Sequence, residues 1–261
     1  LAAAERGVKE LNNILNKYGL NQVNAYMEHV RKNAENSIKT IIKNISDGEH
    51  SINLDNCAKI KVKLKNLRDK DRLEIDFSGT SKQLIDNFNA PLAVTKSAVL
   101  YVLRTLINKN IPLNEGCLVP VDIIIPPKSM LNPNYPAAVV AGNVETSQSI
   151  VDVLNACLGV QAACYGTMSN ITFGNEDFGY YETICGGEGA SAKNNGSDAV
   201  HCHMTNTSLT DPEVLEWFYP VRLEYFKVRK NSGGNGRWRG GNGTIRKLLF
   251  LKNLKLVVLS N

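Results

Sequence analysis

The chain has 261 residues, of which 43% are apolar and 21% charged, so it can form one large domain or two small ones with a buried core. The formal net charge is +5, but the lysines are spread along the chain instead of forming a basic stripe, which argues against a nucleic-acid partner. No apolar run approaches the roughly 20 residues that span a bilayer, and no signal peptide is visible, so we expect no membrane association.

The sequence at both ends has the pattern expected of segments inside a longer chain. Leu1 already lies inside a helical pattern, and residues 256–261 form a strand-like run with no partner strand after it, so we expect a piece of a longer polypeptide.

The six cysteines are scattered and form no C-x-x-C pair, which argues against a zinc ribbon. Cys157 and Cys164 lie among alanines and leucines, which is typical of packing residues. Reduced, mostly buried thiols favour a cytoplasmic protein.

The first third of the chain combines helices with a hairpin. Apolar residues at helical spacing predict a helix over 2–17, which Gly19 ends, and a longer amphipathic helix over 21–45. Alternating apolar residues at 60–64 and 73–77 predict two strands joined by a polar turn.

The centre and the C-terminal part add more elements of both kinds. Pro91 suits the first turn of a helix that ends near residue 107 and is apolar on several sides, which implies deep burial. Thr210 and the residues after it are typical of a helix start, and they predict a helix over 211–218. Strands are predicted at 121–125, 178–184, 223–229, 244–251 and 254–260, and a short extended run at 200–204.

These elements predict an α/β fold of the mixed α+β type. We expect residues 1–50 to form a helical arm and residues 51–261 a domain with a mixed β-sheet and packed helices.

The stretch 137–148 has the pattern of a binding site. An apolar run ends at Gly142, small polar residues follow, and a helical apolar period begins at Ile150. This order predicts a buried strand or extended segment, a tight turn, and a helix that begins near Asn143 and ends near Leu158. A helix N-terminus offers free backbone N–H groups to an anionic ligand, although a plain helix cap needs the same residue types. The polar residues near it are Asn143, Glu145, Thr146, Ser147 and Gln148.

His201 and His203 stand two residues apart on the predicted extended run, so both would face the same side of a strand. Neutral imidazoles can bind a metal or act as acid or base, whereas hydrogen-bonded structural histidines are the plain alternative. Thr205 and Asn206 follow directly and add polar density. The carboxylates available to such a site are Glu145 and Glu182.

The predicted strand 178–184 places Tyr180 and Glu182 on one face and Tyr181 on the other. A carboxylate beside a phenol in an apolar strand can serve as a general base, whereas an exposed strand edge is the plain alternative.

The glycine-rich residues 232–243 do not match a nucleotide-binding loop, because predicted strands flank them on both sides and the glycine spacing is wrong. We interpret them as a long connection anchored by Trp238, in which Arg237 and Arg239 could bind an anion.

Several motifs, in order along nearly the whole chain, resemble the hydantoinase B / 5-oxoprolinase family. The segment Thr210–Glu216 with Tyr219–Val221 is most similar to the ATP-dependent 5-oxoprolinase branch. The motifs are Asp76–Thr80, Asn89–Pro91, Ile111–Gly116, Gly142–Gln148, Tyr180–Thr183, His201–Thr207 and Ser232–Gly243.

This resemblance implies opening of a cyclic amide driven by ATP, with 5-oxo-L-proline, ATP and water giving L-glutamate, ADP and phosphate. Amide resonance makes an unstrained lactam a poor electrophile, and phosphorylation of its oxygen would create a leaving group. In the family, ATP and Mg²⁺ are bound by a hydantoinase A-like domain or subunit, which is not part of this sequence. A homo-oligomer is expected. The metal ligands of carboxylase relatives lie upstream of this region, so no metal ligand is assigned here, and a transition-metal cofactor of unknown identity stays open.

We predict that three segments, 143–148, 180–182 and 201–206, converge on one cleft. The predicted catalytic residues are Glu145, Glu182, His201 and His203. The predicted substrate-binding residues are Asn143, Thr146, Ser147, Tyr181, Thr205 and Asn206. The alternatives are an N-methylhydantoinase B subunit, an acetone-type carboxylase subunit, and a structural or assembly module that is inactive without its hydantoinase A-like partner.

Overall fold

The computed structural model describes residues 1–260 and contains both α-helices and β-strands. The α-helices are α1 (Ala2–Tyr18), α2 (Leu20–Ile42), α3 (Leu92–Thr105), α4 (Thr146–Leu158) and α5 (Pro212–Phe218). The β-strands are β1 (Gly48–Asn53), β2 (Lys59–Leu67), β3 (Arg72–Asp76), β4 (Val121–Ile124), β5 (Asn170–Gly174), β6 (Gly179–Thr183), β7 (Val221–Val228), β8 (Thr244–Phe250) and β9 (Lys255–Leu259). The predicted mixed fold with N-terminal helices is confirmed.

The described chain divides into two compact units. The first unit consists of residues 1–45, 66–73 and 103–122, and the second contains the rest. The division at residue 50 remains a prediction of the sequence. Among residues 1–260, no helix combines the length and the apolar character that a membrane span requires.

The first unit is built on α2. This helix buries Val23, Ala34, Ile38 and Ile42, whereas α1 has no buried residue. Asn66 donates to the carbonyl groups of the last turn, which satisfies acceptors that a helix end leaves open.

The strands form three sheets. Their orders are β1-β2-β3-β4, β6-β5-β9 and β7-β8. β9 pairs antiparallel with β5, with Asn170 opposite Leu259, so the last predicted strand has its partner earlier in the chain. In the second unit, Phe173 and Tyr180 pack with Leu215 and Val221, which joins the β5–β6 pair to α5 and β7.

Helix α4 lies at the centre of the second unit. Every residue from Thr146 to Asn155 is buried, and the helix packs against β1. Because the buried set includes polar side chains, each must find a partner inside the protein. This requirement organises the candidate site.

The prediction of a buried strand over 137–141 is wrong. The chain turns there and enters a 3₁₀ turn over Val140–Gly142. Its backbone is held by the loop before α3, since Ala141 N–H donates to the Asn87 carbonyl at 3.0 Å. A Cβ on Gly142 would lie 2.1 Å from the Asn89 carbonyl oxygen, so only glycine permits this approach.

The extended run predicted over 200–204 is also wrong. Val200 forms an isolated bridge with Gly186, after which the chain turns, with Thr205 N–H donating to the Cys202 carbonyl at 3.0 Å. The sequence did not predict two of the strands, β1 and β5. β1 carries only one large apolar residue, Ile52, so its alternation of apolar and polar residues is too weak to recognise.

Asn89 is the side chain that fixes the loop before α3. It is fully buried, its Oδ1 accepts from Leu84 N–H at 2.8 Å, and its Nδ2 donates to the carbonyls of Leu84, Asp86 and Ala138. We expect Asn89→Ala to lower the free energy of unfolding by about 1–3 kcal/mol, because buried backbone groups lose their partners. Urea denaturation of this variant and of the half-buried neighbour Asn87→Ala checks this; equal stability of the two variants would contradict it.

Candidate functional site

The N-terminus of α4 begins at Thr146, with Glu145 as the N-cap residue. The Thr146 hydroxyl donates to the Phe88 carbonyl at 2.5 Å, and the Ser147 hydroxyl donates to the Asn143 carbonyl at 2.6 Å. Both hydroxyl protons are therefore used inside the protein. The side chain of Asn143 is exposed and stays available to a ligand.

Glu145 is fully buried, and its carboxyl group makes no cap hydrogen bond. Its Oε1 accepts from the Thr167 hydroxyl at 2.8 Å, while Oε2 has no hydrogen-bond partner among the described residues. Burial raises the pKa of Glu145 to about 7, and the hydrogen bonds from Thr167 and the Met168 amide only partly oppose this. A carboxyl group with this pKa can gain or lose a proton near neutral pH.

Gln148 joins α4 to the segment 202–205. Its Nε2 group donates to the Thr205 hydroxyl at 2.7 Å and to the Cys202 carbonyl at 3.3 Å. Its Oε1 accepts from Met204 N–H at 3.1 Å. The predicted segments 143–148 and 201–206 therefore meet, and buried Thr205 belongs to this framework, whereas Asn206 is exposed.

His203 lies in the turn after Val200 and has a backbone φ of 52°, a conformation that residues other than glycine rarely adopt. Its Nε2 is 3.2 Å from Asp152 Oδ1, and both side chains are almost fully buried. Burial opposes the charged imidazole, but the interactions with Asp152 and Cys164 outweigh it and raise the pKa of His203 to about 9. The buried pair therefore favours a positive charge at this place.

His201 has a different environment. Both of its ring nitrogens are buried without a hydrogen-bond partner among residues 1–260. Burial lowers the pKa of His201, which favours the neutral imidazole. Because the chain turns at this point, the argument that His201 and His203 face the same side of a strand is wrong.

Asp152 and Cys164 were missed as site residues by sequence reasoning. One ligand atom from each of Asp152, Cys164 and His203 lies within 4.8 Å of the others, so these three could hold a metal ion. A signal for Asp152 was present, because Gln148, Asp152 and Asn155 follow helical spacing in a helix that is otherwise mainly apolar. Neither Glu145 nor Glu182 belongs to this group.

Glu182 lies on β6 and is compensated by a cation that the sequence did not indicate. Its Oε1 is 3.0 Å from Arg246 Nε on β8, and both side chains are 2% exposed. Its Oε2 accepts from the Tyr180 hydroxyl at 2.7 Å. The carboxylate is therefore held in a buried ion pair.

The predicted alternation along β6 is confirmed, since Tyr180 and Glu182 are buried and Tyr181 is 54% exposed. The hydroxyl of Tyr181 accepts from Asn170 Nδ2, and the hydroxyls of Thr183 and Thr207 are in contact. Within the third predicted segment, 180–182, the Tyr180 hydroxyl lies 2.7 Å from the Thr210 hydroxyl, so this segment meets the chain after residue 206 and not the group of contacts around Gln148.

A cavity of about 340 Å³ in the second unit opens next to these groups. Thr167 lines it, so Glu145 lies one hydrogen bond behind its wall. Tyr165 also lines it, with a buried hydroxyl that has no hydrogen-bond partner among the described residues, and burial raises the pKa of Tyr165 to about 12. Arg229, whose backbone N–H donates to the Gly243 carbonyl of the glycine-rich loop, adds a cation to the lining. The cavity lining therefore includes hydroxyl groups, the Arg229 cation and the Glu188 carboxylate.

The glycine-rich loop forms the opposite part of the cavity lining. Asp198 holds it, accepting from the Asn242 backbone at 2.6 Å and from its side chain at 3.0 Å. A Cβ on Gly187 would lie 2.0 Å from the Gly241 carbonyl oxygen, so the two backbones touch. Trp238 Nε1 donates to the Ala192 carbonyl at 3.0 Å, as expected of an anchor.

A model of the Hydantoinase B/oxoprolinase family matches residues 1–261. The chain is 44% identical over 269 residues to a 5-oxoprolinase from Dictyostelium discoideum and 44% identical over 276 residues to 5-oxoprolinase 1 from Arabidopsis thaliana. Each alignment covers 100% of this chain and 21% or 22% of the relative. The chain thus spans about a fifth of the length of these relatives.

Among solved structures, the chain is similar to the crystal structure of ATP-dependent caprolactamase from Pseudomonas jessenii, with a TM-score of 0.82 at 23% identity. The superposition covers 98% of this chain and 48% of that chain. At this level of identity, the likeness concerns the fold.

The raised pKa of Glu145 gives a signed prediction for stability. Below the unfolded pKa of 4.5 both states are protonated; as the pH rises to the folded pKa of about 7, stability is lost because the buried group resists ionisation. We expect Glu145→Gln to remove this loss, so that the variant gains about 3 kcal/mol relative to wild type between about pH 4 and pH 8. Chemical denaturation across this range measures it, with exposed Glu176→Gln as the control. Parallel profiles for wild type and Glu145→Gln would contradict the assignment.

The Glu182–Arg246 pair predicts a second effect. Arg246→Met leaves a buried carboxylate without its cation, so we expect a loss of about 3–5 kcal/mol in the free energy of unfolding. Adding Glu182→Gln should recover part of this loss, because the uncompensated charge is removed. Lys247→Met, next to Arg246 on β8, breaks an exposed pair with Glu224 of β7; it is the matched control and should have a much smaller effect. Additive losses in the double variant would contradict the interpretation.

Proposed function

The chain belongs to the hydantoinase B/oxoprolinase family, and on this premise we propose that it forms part of an ATP-dependent enzyme that hydrolyses a cyclic amide. The proposed reaction converts 5-oxo-L-proline, ATP and water to L-glutamate, ADP and phosphate. The observation that carries this choice is the 44% identity to two 5-oxoprolinases across the full chain.

We assign the cavity beside Thr167 as the place where this chain contacts the lactam. Arg229 would bind the substrate carboxylate, since a guanidinium group suits a carboxylate. The Tyr165 hydroxyl is protonated at neutral pH because its pKa is about 12, and it would donate a hydrogen bond to the ring. These contacts would fix the orientation of a small anionic substrate.

Glu145 would act through Thr167 and so position a proton rather than touch the substrate. The Thr167 hydroxyl lines the cavity and donates to Glu145 Oε1 at 2.8 Å, so the carboxyl group can accept that proton when the hydroxyl is used. His201 is the second proposed acid–base group, since its buried nitrogens have no partner in the described chain. Glu182 and His203, both charge-paired, would support the site.

The predicted substrate-binding residues divide by exposure. Asn143, Tyr181 and Asn206 are exposed but do not line the cavity beside Thr167, so they would contact a substrate only outside it; the other three are bonded inside the protein and would hold the framework. Those three are Thr146, Ser147 and Thr205.

ATP and Mg²⁺ are assigned to a hydantoinase A-like domain or subunit. The glycine-rich loop does not fit a nucleotide, because it joins β7 to β8 and the N–H groups of Ser232 and Gly233 already donate to Asn242 Oδ1 at 3.1 Å. We further propose a cytoplasmic homo-oligomer without nucleic-acid or membrane partners. The six free cysteines suit a reducing compartment.

The test uses the full-length protein with its hydantoinase A-like part and measures ADP release with 5-oxo-L-proline, hydantoin, or acetone with bicarbonate. We expect release that depends on 5-oxo-L-proline. Dependence on hydantoin would indicate an N-methylhydantoinase B subunit, and dependence on acetone and bicarbonate a carboxylase. No substrate dependence would favour a structural or assembly module.

In the same assay, we expect Glu145→Gln to lower lactam-dependent turnover by about 10²–10⁴-fold and to remove a pH-dependent step near neutral pH. Glu176→Gln, an exposed loop substitution, is the control for folding and expression. If Glu145→Gln lowers turnover equally at every pH, Glu145 has only a structural role.

A further inference from the structure

Three side chains from separate segments of the second unit meet in its interior. Asp152 lies on α4, Cys164 follows that helix, and His203 lies in the turn after Val200. We propose that Asp152, Cys164 and His203 form a binding site for Zn²⁺. Carboxylate oxygen, thiolate sulfur and imidazole nitrogen are the three protein ligand types of this ion.

A second observation points to a ligand at this place. The His203 side chain is only 6% exposed, yet its Nε2 has no hydrogen bond of acceptable geometry in the described chain. Asp152 Oδ1 is 3.2 Å away, which is close enough for an ion pair but not aligned for a hydrogen bond. A buried ring nitrogen in this condition requires an explanation, and a coordinated cation supplies one.

The ligands are oriented by their neighbours. Asp152 Oδ1 accepts from Cys164 N–H at 3.0 Å, and Cys164 Sγ accepts from Gly189 N–H at 3.2 Å. The ring of Tyr101 meets His203 edge to face at 6.0 Å between centroids. Such outer contacts fix the direction of metal ligands, and amide donors stabilise a bound thiolate. The positive φ of His203 is a strained conformation that delivers the imidazole to this point.

The geometry needs only a small adjustment to accept the ion. Zinc bonds of about 2.0–2.3 Å in a tetrahedral site place ligand atoms roughly 3.3–3.8 Å apart. The Asp152 and His203 atoms are 3.2 Å apart, just below this range, and all three ligand atoms lie within 4.8 Å of one another. The fourth position would be open to water or to another ligand.

The same residues could form a nucleophilic cysteine with a histidine and an aspartate, but the environment opposes it. The hydrogen bond with Cys202 and then burial raise the pKa of the Cys164 thiol, whereas a nucleophilic cysteine needs a lowered pKa. A metal ion would displace the proton directly and bind the thiolate. The metal site is therefore the better explanation of the cluster.

The test measures binding by the full-length protein and does not depend on the proposed function. After chelation, the protein is titrated with Zn²⁺ and, separately, with Co²⁺, whose thiolate complexes absorb in the near ultraviolet. We expect Cys164→Ser to bind one Zn²⁺ fewer per chain than wild type and to lose the thiolate-to-cobalt absorption. A metal held elsewhere by histidine and carboxylate ligands alone would not give this absorption.

Matched controls separate coordination from folding. Cys157→Ser alters another partly buried cysteine and His50→Gln an exposed histidine, so both should keep the wild-type stoichiometry and absorption. His203→Gln should weaken binding at least tenfold while keeping circular dichroism unchanged. The proposal is overturned if wild type shows no thiolate absorption with Co²⁺, or if Cys164→Ser keeps both the absorption and the full zinc content. These readouts need no turnover, so failure of the lactam assay leaves them unaffected.

Discussion

The burial of α4 is the constraint on which the second unit depends. The helix is enclosed along its first ten residues and carries polar groups into the interior, where water cannot satisfy them. Gln148 meets this requirement with three hydrogen bonds to the segment 202–205, and Asp152 with Cys164 N–H and His203. These contacts bring together parts of the chain about fifty residues apart. The position of the candidate site therefore follows from the need to satisfy one helix.

Three buried carboxyl groups solve the same electrostatic problem in different ways. Glu182 has a guanidinium partner, Arg246, and Asp152 has an imidazole partner, His203. Glu145 has only a hydroxyl and an amide as donors, so burial raises its pKa instead. A compensated charge is fixed, whereas a group with its pKa near 7 can change its charge at little cost. This contrast is the physical reason to place proton transfer at Glu145 and structural support at Glu182.

Local patterns predicted most of the helices and strands, because α2, β2, β3 and the C-terminal strands show strong periodicity. Failures occurred where distant contacts decide the conformation. Residues 137–141 look like a strand, but their backbone bonds to the loop before α3, and this partner is about fifty residues away. His203 has a positive φ. In a sequence, glycine is the residue that indicates such a backbone conformation, so a histidine gave no sign of it.

The residues of the candidate site could be predicted from the sequence to a similar extent as the fold. Glu145, Gln148 and the segment 201–206 were identified because polar residues beside an apolar run are conspicuous in a sequence. Arg246 and Asp152 were missed, since an alternating strand and a helix each contain such residues for many reasons. The sequence around Cys164 predicts a packing residue, because its neighbours are small and apolar; only the fold shows that it faces a histidine and an aspartate.

The cavity is lined by glycine backbone and by polar side chains, and this composition limits which groups can determine substrate specificity. On one side, glycine backbones touch each other and their loop is fixed by Asp198, so this wall presents little side-chain chemistry. On the other side, most polar groups near α4 are already bonded within the protein. Among the described residues of the lining, the Tyr165 hydroxyl has no hydrogen-bond partner, Arg229 and Glu188 are the charged groups, and Thr167 is connected to Glu145. Recognition of a small anionic ring would therefore depend on very few side chains, and a substitution at Arg229 should affect substrate choice more than stability.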